Sequence, residues 1–366
     1  MRIGIDARLA DYTLGGIARY TVQLARALGQ LATQHDLVAI RSKQPRVDPP
    51  AIPFPETLSV RTPPHHRLER YTLPWELRRT RLTVLHSPDF IAPKGRWRKV
   101  ITVHDLAYLR MPWLLTAQSR RYYGRIRQAV AEADAVIAVS EATARDLGDL
   151  VKAPSEKVHV IYEAADPTLT PMPRDEAQVL VEERYGVSGP FVLFVGTIEP
   201  RKNLLSLVQA VALLRRELPI RLVAVGAPGW LSQPEFATLR DQAARDGVAF
   251  LGAVPPSDLR PLYCAAEALA LPSLYEGFGL PPLEAMACGT PVVVSNAGSL
   301  PEIVGDAGVL VRAEDPHDIA NALAWVIGNA PYRRTLAERG LARAATFSWE
   351  RAARETLAVY EQVVAG

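Results

Sequence analysis

Two glutamates separated by seven residues stand in the segment of this chain that is richest in chemistry. Glu276 lies within Tyr-Glu-Gly-Phe-Gly, and Glu284 follows a Pro-Pro pair. Proline suits the first turn of a helix, so the pattern predicts a loop at Glu276, a helix opening near Pro281 or Pro282, and Glu284 in its first turn. A helix N-terminus attracts anions, and carboxylates accept hydrogen bonds from hydroxyl groups. The segment therefore predicts a ligand that carries phosphate and sugar hydroxyls.

A pair of cations is the second candidate. Arg201 and Lys202 follow an apolar run that ends at Gly196. Arginine can bind phosphate through two N–H groups, and lysine binds it as a point charge. Taken alone, the pair could be ordinary surface cations, and the diphosphate interpretation depends on the glutamate segment downstream.

The N-terminal half contributes weaker candidates. Gly15 and Gly16 follow the first apolar strand and open a helical pattern, so they could let a phosphate approach the backbone, although the pair also suits a simple turn. His104 ends the run Val-Ile-Thr-Val, a position that faces the ligand in many α/β folds. The alternative for His104 is a hydrogen-bonded structural histidine, and His86 is a weaker candidate.

Length and composition predict two folded domains in a reducing compartment. The chain has 366 residues, 48% of them hydrophobic, and only two cysteines, which cannot form a disulfide framework. No apolar run approaches the roughly 18 residues of a membrane-spanning helix, and the N-terminus resembles a strand more than a signal peptide. We therefore expect a cytoplasmic protein. No His, Cys and Asp cluster has metal-ligand spacing, so we predict no metal.

The charge is unevenly distributed along the chain. Residues 1–180 carry 26 Lys and Arg against 19 Asp and Glu, and within residues 46–130 the numbers are 16 and 6. This basic region, with Trp75 and Trp113, would suit an anionic acceptor or lipid surface. A solvated arginine-rich surface and core tryptophans are the alternatives.

Apolar strands alternate with helical patterns throughout, which predicts two doubly wound parallel sheets with the ligand between them. The predicted strands are 2–6, 37–40, 84–86, 99–103, 135–139 and 158–161, then 190–195, 221–225, 249–251, 268–271, 291–295 and 308–311. A proline-rich boundary at 164–188 separates the two series. The predicted division is 1–168, 185–345 and a final helical segment, 346–366.

Several helices have recognisable starts. Helical patterns cover 17–28 and 117–132, and Ser140 is a candidate N-cap. Ser299 and Glu302 have capping-box spacing, which predicts a short helix that stops at Gly305.

The motifs resemble a known family. The sequence Tyr-Glu-Gly-Phe-Gly-Leu-Pro-x-Leu-Glu-Ala-Met-Ala-Cys-Gly-x-Pro-Val and the element Gly-x4-Arg-Lys-Asn are similar to the donor-site motifs of the retaining family 4 glycosyltransferases. The resemblance implies the GT-B fold, in which two Rossmann-like domains face each other across a cleft. The C-terminal domain would bind the donor and the N-terminal domain the acceptor, with the final helix crossing back to the N-terminal domain.

The resemblance also implies roles for individual residues. Glu284 would bind the ribose hydroxyls and Glu276 the donor sugar, with Arg201 and Lys202 on the diphosphate. His104 would lie near the sugar. Further donor contacts are implied for the glycine-rich loop, the backbone of the glutamate segment and the segment beside the base: Gly15, Gly16, Phe278, Gly279, Leu280 and Val254. Relatives carry Pro-Asn-Gly-Val-Asp where this chain has Ile-Tyr-Glu-Ala-Ala-Asp, so no role is transferred to Glu163.

The implied reaction is metal-independent transfer of a hexose from a nucleoside diphosphate sugar, with retention of configuration. Mannose is the first guess for the sugar, because Gly226–Trp230 resembles relatives that use nucleotide-mannose donors. The donor would be GDP- or UDP-linked, the acceptor a glycan or lipid-linked sugar, and no cofactor is expected. We expect no nucleic-acid partner, a monomer or weak homodimer, and peripheral contact with an anionic membrane at its inner face.

Two other classes remain open. A nucleotide-sugar epimerase of the same fold needs no second substrate, and a non-catalytic nucleotide-sugar binding protein would show no turnover. A Rossmann dehydrogenase is disfavoured, because no Gly-x-Gly-x-x-Gly follows a strand.

Overall fold

The chain forms two compact units in a computed structural model. The model describes residues 1–13, 15–31, 34–48, 50–66, 68–114, 123–229 and 247–366. Unit 1 comprises Met1–Glu163 with Ser348–Gly366, and unit 2 comprises Ala164–Phe347. The stretch 164–188, which the sequence assigned to a boundary, belongs to unit 2 and contains a helix at Arg174–Tyr185.

Unit 1 is built on a parallel sheet with the order β3-β2-β1-β4-β5-β6-β7 among its described strands. The strands are β1 (Arg2–Asp6), β2 (Asp36–Ser42), β3 (Glu56–Val60), β4 (Val84–Ser87), β5 (Arg98–Val103), β6 (Ala135–Ala138) and β7 (Val158–Val160). Strand β3 was not predicted. It lies at the sheet edge and alternates half-buried with exposed residues up to Val60, so it lacks the continuous apolar run of a buried parallel strand.

The described helices of unit 1 before the chain enters unit 2 are α1 (Gly16–Leu31), α2 (Glu69–Leu77), α3 (Ala107–Arg110), α4 (Ile126–Glu132) and α5 (Glu141–Asp146). The prediction that Ser140 caps a helix is confirmed, because its hydroxyl accepts the Thr143 N–H at 3.0 Å. The helix predicted at 117–132 is observed over its last residues as α4, and residues 115–122 lie outside the described residues.

Unit 2 repeats the architecture with the parallel order β10-β9-β8-β11-β12-β13. The strands are β8 (Phe191–Val195), β9 (Arg221–Val225), β10 (Val248–Gly252), β11 (Ala268–Leu271), β12 (Val292–Ser295) and β13 (Gly308–Val311). The described helices are α6 (Arg174–Tyr185), α7 (Leu204–Leu214), α8 (Pro256–Ala265), α9 (Leu280–Ala287), α10 (Leu300–Val304), α11 (Pro316–Gly328) and α12 (Ala330–Ala344). Every predicted strand of this half is present. The inner strands β8, β9, β11 and β12 are short apolar runs that are almost entirely buried, whereas the edge strands β10 and β13 are mostly half-buried.

The final helix, α13 (Trp349–Ala365), belongs to unit 1 and packs against α1. Its apolar face includes Ala353 and Tyr360, both fully buried. In the described parts of the chain, no helix is both long and apolar enough to cross a membrane.

A buried polar chain ties α13 to the sheet of unit 1. The Tyr360 hydroxyl lies 2.6 Å from His86 Nδ1, and His86 Nε2 lies 2.8 Å from the Thr102 hydroxyl. Tyr20 contacts the same hydroxyl at 3.1 Å. Burial lowers the pKa of His86 to about 3, assisted by repulsion from the neighbouring His104. A neutral imidazole has one donor and one acceptor nitrogen, which the two hydroxyls can satisfy, so His86 has a structural environment.

We expect Tyr360→Phe to lower the free energy of unfolding by about 1 to 3 kcal/mol, because it leaves a buried imidazole nitrogen without its partner. Urea unfolding followed by circular dichroism measures the change. Tyr71→Phe is the matched control, since Tyr71 is 71% exposed and its substitution should change stability by less than about 0.5 kcal/mol. Equal stability of the two variants would contradict the structural role of this chain of hydrogen bonds.

Candidate functional site

A carboxylate buried against two cations lies at the carboxyl edge of the unit 2 sheet. Glu276 is 5% exposed and accepts hydrogen bonds from Lys202 Nζ at 2.6 Å, Ser273 Oγ at 2.6 Å and Arg201 Nη1 at 3.0 Å. Burial opposes ionisation, but the charges of Lys202 and Arg201 outweigh it and lower the pKa of Glu276 to about 2. The side chain is therefore a carboxylate at neutral pH.

Strand order explains why these residues meet. Lys202 follows β8 and Glu276 follows β11, and these two strands are neighbours in the sheet. The Leu274 N–H donates to the Arg201 carbonyl at 2.8 Å, which joins the two loops. Asn203 has a left-handed φ of 54°, and its side-chain amide donates to the Pro272 carbonyl at 3.1 Å. These two hydrogen bonds fix the loop that carries Arg201 and Lys202.

A second carboxylate completes the cluster. Glu199 accepts from Arg201 Nε at 2.9 Å and from Nη2 at 2.7 Å, while Nη1 also reaches the Tyr275 carbonyl at 2.8 Å. Arg201 is therefore held on two sides of its guanidinium. Two carboxylates and two cations make the cluster formally neutral.

Two small residues clamp the loop that carries Glu276. Gly298 has a φ of 58°, and a Cβ there would lie 2.3 Å from the Glu276 carbonyl oxygen. The Ser299 N–H donates to that carbonyl at 3.0 Å, and the Ser299 hydroxyl donates to the Phe278 carbonyl at 2.7 Å. The short helix predicted from the spacing of Ser299 and Glu302 is confirmed as α10, which begins after Ser299 and ends at Gly305. The Ser299 side chain, however, makes no capping hydrogen bond to α10. Its hydroxyl donates to the adjacent loop instead.

The second glutamate of the segment lies in a separate buried pair. Glu284 is 3% exposed, and its Oε2 accepts the Tyr263 hydroxyl at 2.6 Å. Helix α9 begins at Leu280, earlier than predicted, which places Pro281 and Pro282 inside the first turn. Proline has no N–H, so among the first three helical residues only Leu280 can donate a backbone hydrogen bond to an anion.

The other predicted donor contacts of unit 2 are in well-defined positions. Phe278 is buried with its ring edge-on to Phe347 at 6.0 Å between centroids. Gly279 has a φ of 97°, and a Cβ there would lie 2.7 Å from Leu300, so this turn requires glycine. Val254 is half-buried in the loop between β10 and α8.

In unit 1, His104 is held between two acceptors. Its Nδ1 lies 2.9 Å from a Glu163 carboxylate oxygen, and its Nε2 lies 2.8 Å from the Pro88 carbonyl oxygen. Burial alone would lower the pKa of His104, but the hydrogen bond and charge of Glu163 raise it above its ordinary value. Because the Pro88 carbonyl only accepts and the Glu163 carboxylate favours an N–H, the two contacts and the raised pKa all favour the protonated ring.

Gly15 and Gly16 are exposed at the start of α1. A Cβ at Gly16 would meet nothing within 4 Å, and a Cβ at Gly15 would meet only the Thr13 hydroxyl at 3.6 Å, among the described atoms. Packing within unit 1 therefore gives no reason for either glycine.

A small polar pocket, not predicted from the sequence, lies where β1 and β4 end. Arg8 is 1% exposed, with its Nη2 2.6 Å from Asp6 Oδ2 and in contact with the Glu69 carboxylate. These charges raise the pKa of Arg8 against the effect of burial. Sequence reasoning missed this cluster because the partners are distant along the chain.

The other wall of this pocket carries an unused hydroxyl. Ser87 is 2% exposed, and its Oγ has no hydrogen-bond partner within the described residues. Nearby, His65 Nε2 lies 2.6 Å from Asp89 Oδ2, and burial, which lowers the pKa of His65, is outweighed by Asp89, which raises it. The pocket volume is about 20 Å³, which is room for about one water or one hydroxyl group.

The structure thus joins Arg201, Lys202 and Glu276 by direct hydrogen bonds, and it shows Glu284 in its own pair with Tyr263. Glu199 and Ser273 were missed, although both lie within three residues of a predicted site residue. In the described residues, no group of three or more His, Cys, Asp or Glu side chains could hold a metal ion.

We expect Glu163→Gln to lower the pKa of His104, because burial remains and the charge that opposes it is lost. NMR titration of the imidazole resonances measures this, with Glu156→Gln as the exposed control. In the wild type, the folded-state pKa is raised. The stability that His104 contributes is therefore fully present below about pH 6.5 and is lost as pH rises through the folded-state pKa. An unchanged His104 pKa in Glu163→Gln would show that the carboxylate is not its main partner.

Two family models match the chain. The model described as Glycosyl transferases group 1 matches residues 182–343, and the model described as Glycosyltransferase Family 4 matches residues 14–169. The Escherichia coli protein O-antigen chain mannosyltransferase B is 32% identical over 382 residues, covering 99% of this chain and 100% of that protein.

Solved structures share the fold at lower identity. Sucrose-phosphate synthase from Thermosynechococcus elongatus has a TM-score of 0.81 at 24% identity, covering 100% of this chain and 99% of that one. HepE from Anabaena, solved with UDP and glucose, has a TM-score of 0.76 at 21% identity, covering 99% of each chain. With both halves matched by family models and a full-length relative above 30% identity, the chain belongs to the group 1, family 4 glycosyltransferases and is a glycosyltransferase of the GT-B fold.

Proposed function

We propose that this glycosyltransferase moves a hexose, with mannose as the first choice, from a nucleoside diphosphate sugar to a glycan or lipid-linked acceptor with retention of configuration. Unit 2 binds the donor and unit 1 binds the acceptor. The observation that carries the proposal is the buried carboxylate of Glu276, held by Lys202 and Arg201 at the carboxyl edge of the unit 2 sheet.

The low pKa of Glu276 restricts its role in this proposal. A carboxyl with a pKa of about 2 is too acidic to hold a proton for a leaving group at neutral pH. It is also a weak nucleophile, because its negative charge is already stabilised by three donors. A fixed carboxylate suits a third role, the stabilisation of positive charge that develops at the anomeric carbon.

We therefore favour a front-face reaction. The bond between the anomeric carbon and the diphosphate oxygen breaks, the acceptor oxygen attacks from the same side, and the departing phosphate takes the acceptor proton. The ammonium of Lys202 has three N–H donors, of which Glu276 accepts one. In this proposal the N–H groups of Lys202 and Arg201 stabilise the leaving phosphate in place of a metal ion.

In this proposal, Glu284 binds the ribose of the nucleotide. Tyr263 fixes the carboxylate of Glu284 by a hydrogen bond to one oxygen, which orients the group to accept from the two ribose hydroxyls. The E. coli relative is named a mannosyltransferase, and this supports mannose. The HepE structure contains UDP and glucose, so GDP-mannose and UDP-glucose are the first donors to compare.

Glu276→Gln keeps the shape of the side chain and removes its charge. We expect turnover to fall at least about 100-fold, which is typical for the loss of a preorganised electrostatic contact. Release of nucleoside diphosphate, measured from GDP-mannose and UDP-glucose with a panel of glycan acceptors, gives the rates. Glu314→Gln, at an exposed position of the same unit, should keep wild-type turnover.

Full activity of Glu276→Gln, with a melting temperature that shows it is folded, would contradict the proposed role. Product analysis with donor alone distinguishes the other classes. An isomerised sugar in the absence of acceptor would identify an epimerase, and nucleotide-sugar binding without turnover on any acceptor would identify a binding protein.

On the acceptor side, we propose that the pocket beside Ser87 receives one hydroxyl group of the acceptor. The Ser87 hydroxyl is buried and unpaired within the described residues, and Arg8 and Asp89 line the same space. A hydroxyl in this pocket would satisfy a polar group that is otherwise costly to bury.

We expect Ser87→Ala to raise the KM for the acceptor roughly 5- to 10-fold, equivalent to one lost hydrogen bond, with the donor KM unchanged. Steady-state kinetics with the best acceptor from the panel measures both constants. Ser59→Ala, at an exposed site on β3, is the control. An unchanged acceptor KM would place the acceptor elsewhere on unit 1.

A further inference from the structure

Helix α2 has apolar residues on two opposite faces. Leu73 and Leu77 are buried in the core of unit 1. On the other side, Leu68, Tyr71 and Trp75 are 46%, 71% and 65% exposed. Their spacing of three and then four residues places them on one face of the helix. A monomeric protein has no folding reason to present such a stripe to water.

Cations surround this stripe. A groove of about 930 Å³ lies beside α2 and the edge strand β3. Its lining includes the cationic side chains Lys43, Arg61, Arg78 and Arg79, and all four residues are exposed. None of them has a carboxylate partner within the described residues.

The single carboxylate in the lining is already engaged. Glu76 accepts the backbone N–H groups of Arg61 at 2.7 Å and Thr62 at 3.0 Å, and the Thr62 hydroxyl at 2.6 Å. Although burial opposes it, these hydrogen bonds lower the pKa of Glu76. The Glu76 carboxylate therefore holds the end of β3 in place. The groove lining has four Lys and Arg side chains and this one carboxylate, so its net charge is positive.

At the C-terminal end of α2, the charge of Arg78 lies against the aromatic ring of Trp75. The Arg78 guanidinium lies over the Trp75 ring, 4.0 Å from its centroid, and donates to the Trp75 carbonyl at 2.6 Å. Arginine in this position can meet a phosphate with its free edge, while the indole ring provides apolar surface at the same depth.

We propose that this surface, which comprises Leu68, Tyr71, Trp75, Lys43, Arg61, Arg78 and Arg79, docks unit 1 on a bilayer that contains anionic phospholipid. Tryptophan and tyrosine favour the boundary between headgroups and acyl chains, and cations are attracted to anionic headgroups. A soluble polyanion would engage the cations but would leave the Leu68, Tyr71 and Trp75 stripe in water. The combination of complementary charge and apolar side chains fits a lipid surface. None of these seven residues is among those that line the Ser87 pocket, and the inference does not rest on the proposed reaction.

Sedimentation with vesicles tests the proposal. We expect the full chain to bind vesicles of phosphatidylcholine and phosphatidylglycerol in a ratio of about two to one, and to bind pure phosphatidylcholine much more weakly. Binding should fall when salt is raised from about 0.1 M to about 1 M, because charges are then screened over a shorter distance. Arg78→Gln with Arg79→Gln should lower the partition coefficient roughly 30-fold.

Two matched controls separate this surface from general effects. Arg215→Gln with Arg216→Gln removes an adjacent, exposed arginine pair from unit 2, and Trp325→Ser removes a tryptophan that is 59% exposed on α11. Both should bind as the wild type does, whereas Trp75→Ser should weaken binding roughly tenfold. Nucleoside diphosphate affinity, measured without lipid, should be the same in every variant. Equal loss in the test and control pairs, or no binding of the wild type to anionic vesicles, would overturn the proposal. Binding to soluble heparin with none to vesicles would also overturn it.

Discussion

The ion cluster of Glu276, Lys202 and Arg201 is the interaction on which the functional part of unit 2 depends. A buried carboxylate is costly unless it is paired and fully hydrogen-bonded, and here three donors surround it. The same bonds join the loops after β8 and β11, so the carboxylate that we propose acts in the reaction also fixes the local backbone. The close approach of Gly298 to Glu276 and the hydrogen bonds of Ser299 are consequences of holding that loop in one conformation.

Unit 1 places next to each other two histidines whose pKa values are shifted in opposite directions. His86 has hydroxyl partners and a lowered pKa, whereas His104 has acceptors at both nitrogens and a raised pKa. Positive charge on His104 also lowers the pKa of His86, in addition to the larger effect of burial. Thr102 is a hydrogen-bond partner of both His86 and Tyr20. The Tyr20 ring in turn packs edge-on to the His104 ring, with 4.8 Å between centroids. The final helix is therefore linked through His86 and Tyr20 to the carboxyl ends of the unit 1 strands.

The sequence predicted the parts of the fold that depend on local patterns. Buried strands appear as apolar runs, and the donor-site motif places Glu276 and Arg201 at strand ends. Strand order is not local, so the pairing of Lys202 with Glu276 could not be read from the chain, and neither could the contact of Glu163 with His104. Edge strand β3 was missed because it is half-solvated. The short helix after Ser299 was predicted correctly, but the partner of the Ser299 hydroxyl was not, because the carbonyls of Glu276 and Phe278 compete for it and are distant along the chain.

The neutrality of the unit 2 cluster has a consequence for donor binding. If Lys202 and Arg201 were unpaired, a diphosphate would be attracted by two full charges. Because Glu199 and Glu276 already balance them, attraction to the proposed diphosphate would depend on the N–H groups that the cations and the loop direct at it. Prolines at 281 and 282 remove two backbone donors from the start of α9. For the donor that we propose, the site would therefore distinguish sugars through the hydroxyl groups that its carboxylates can orient, more than through charge attraction to the phosphates.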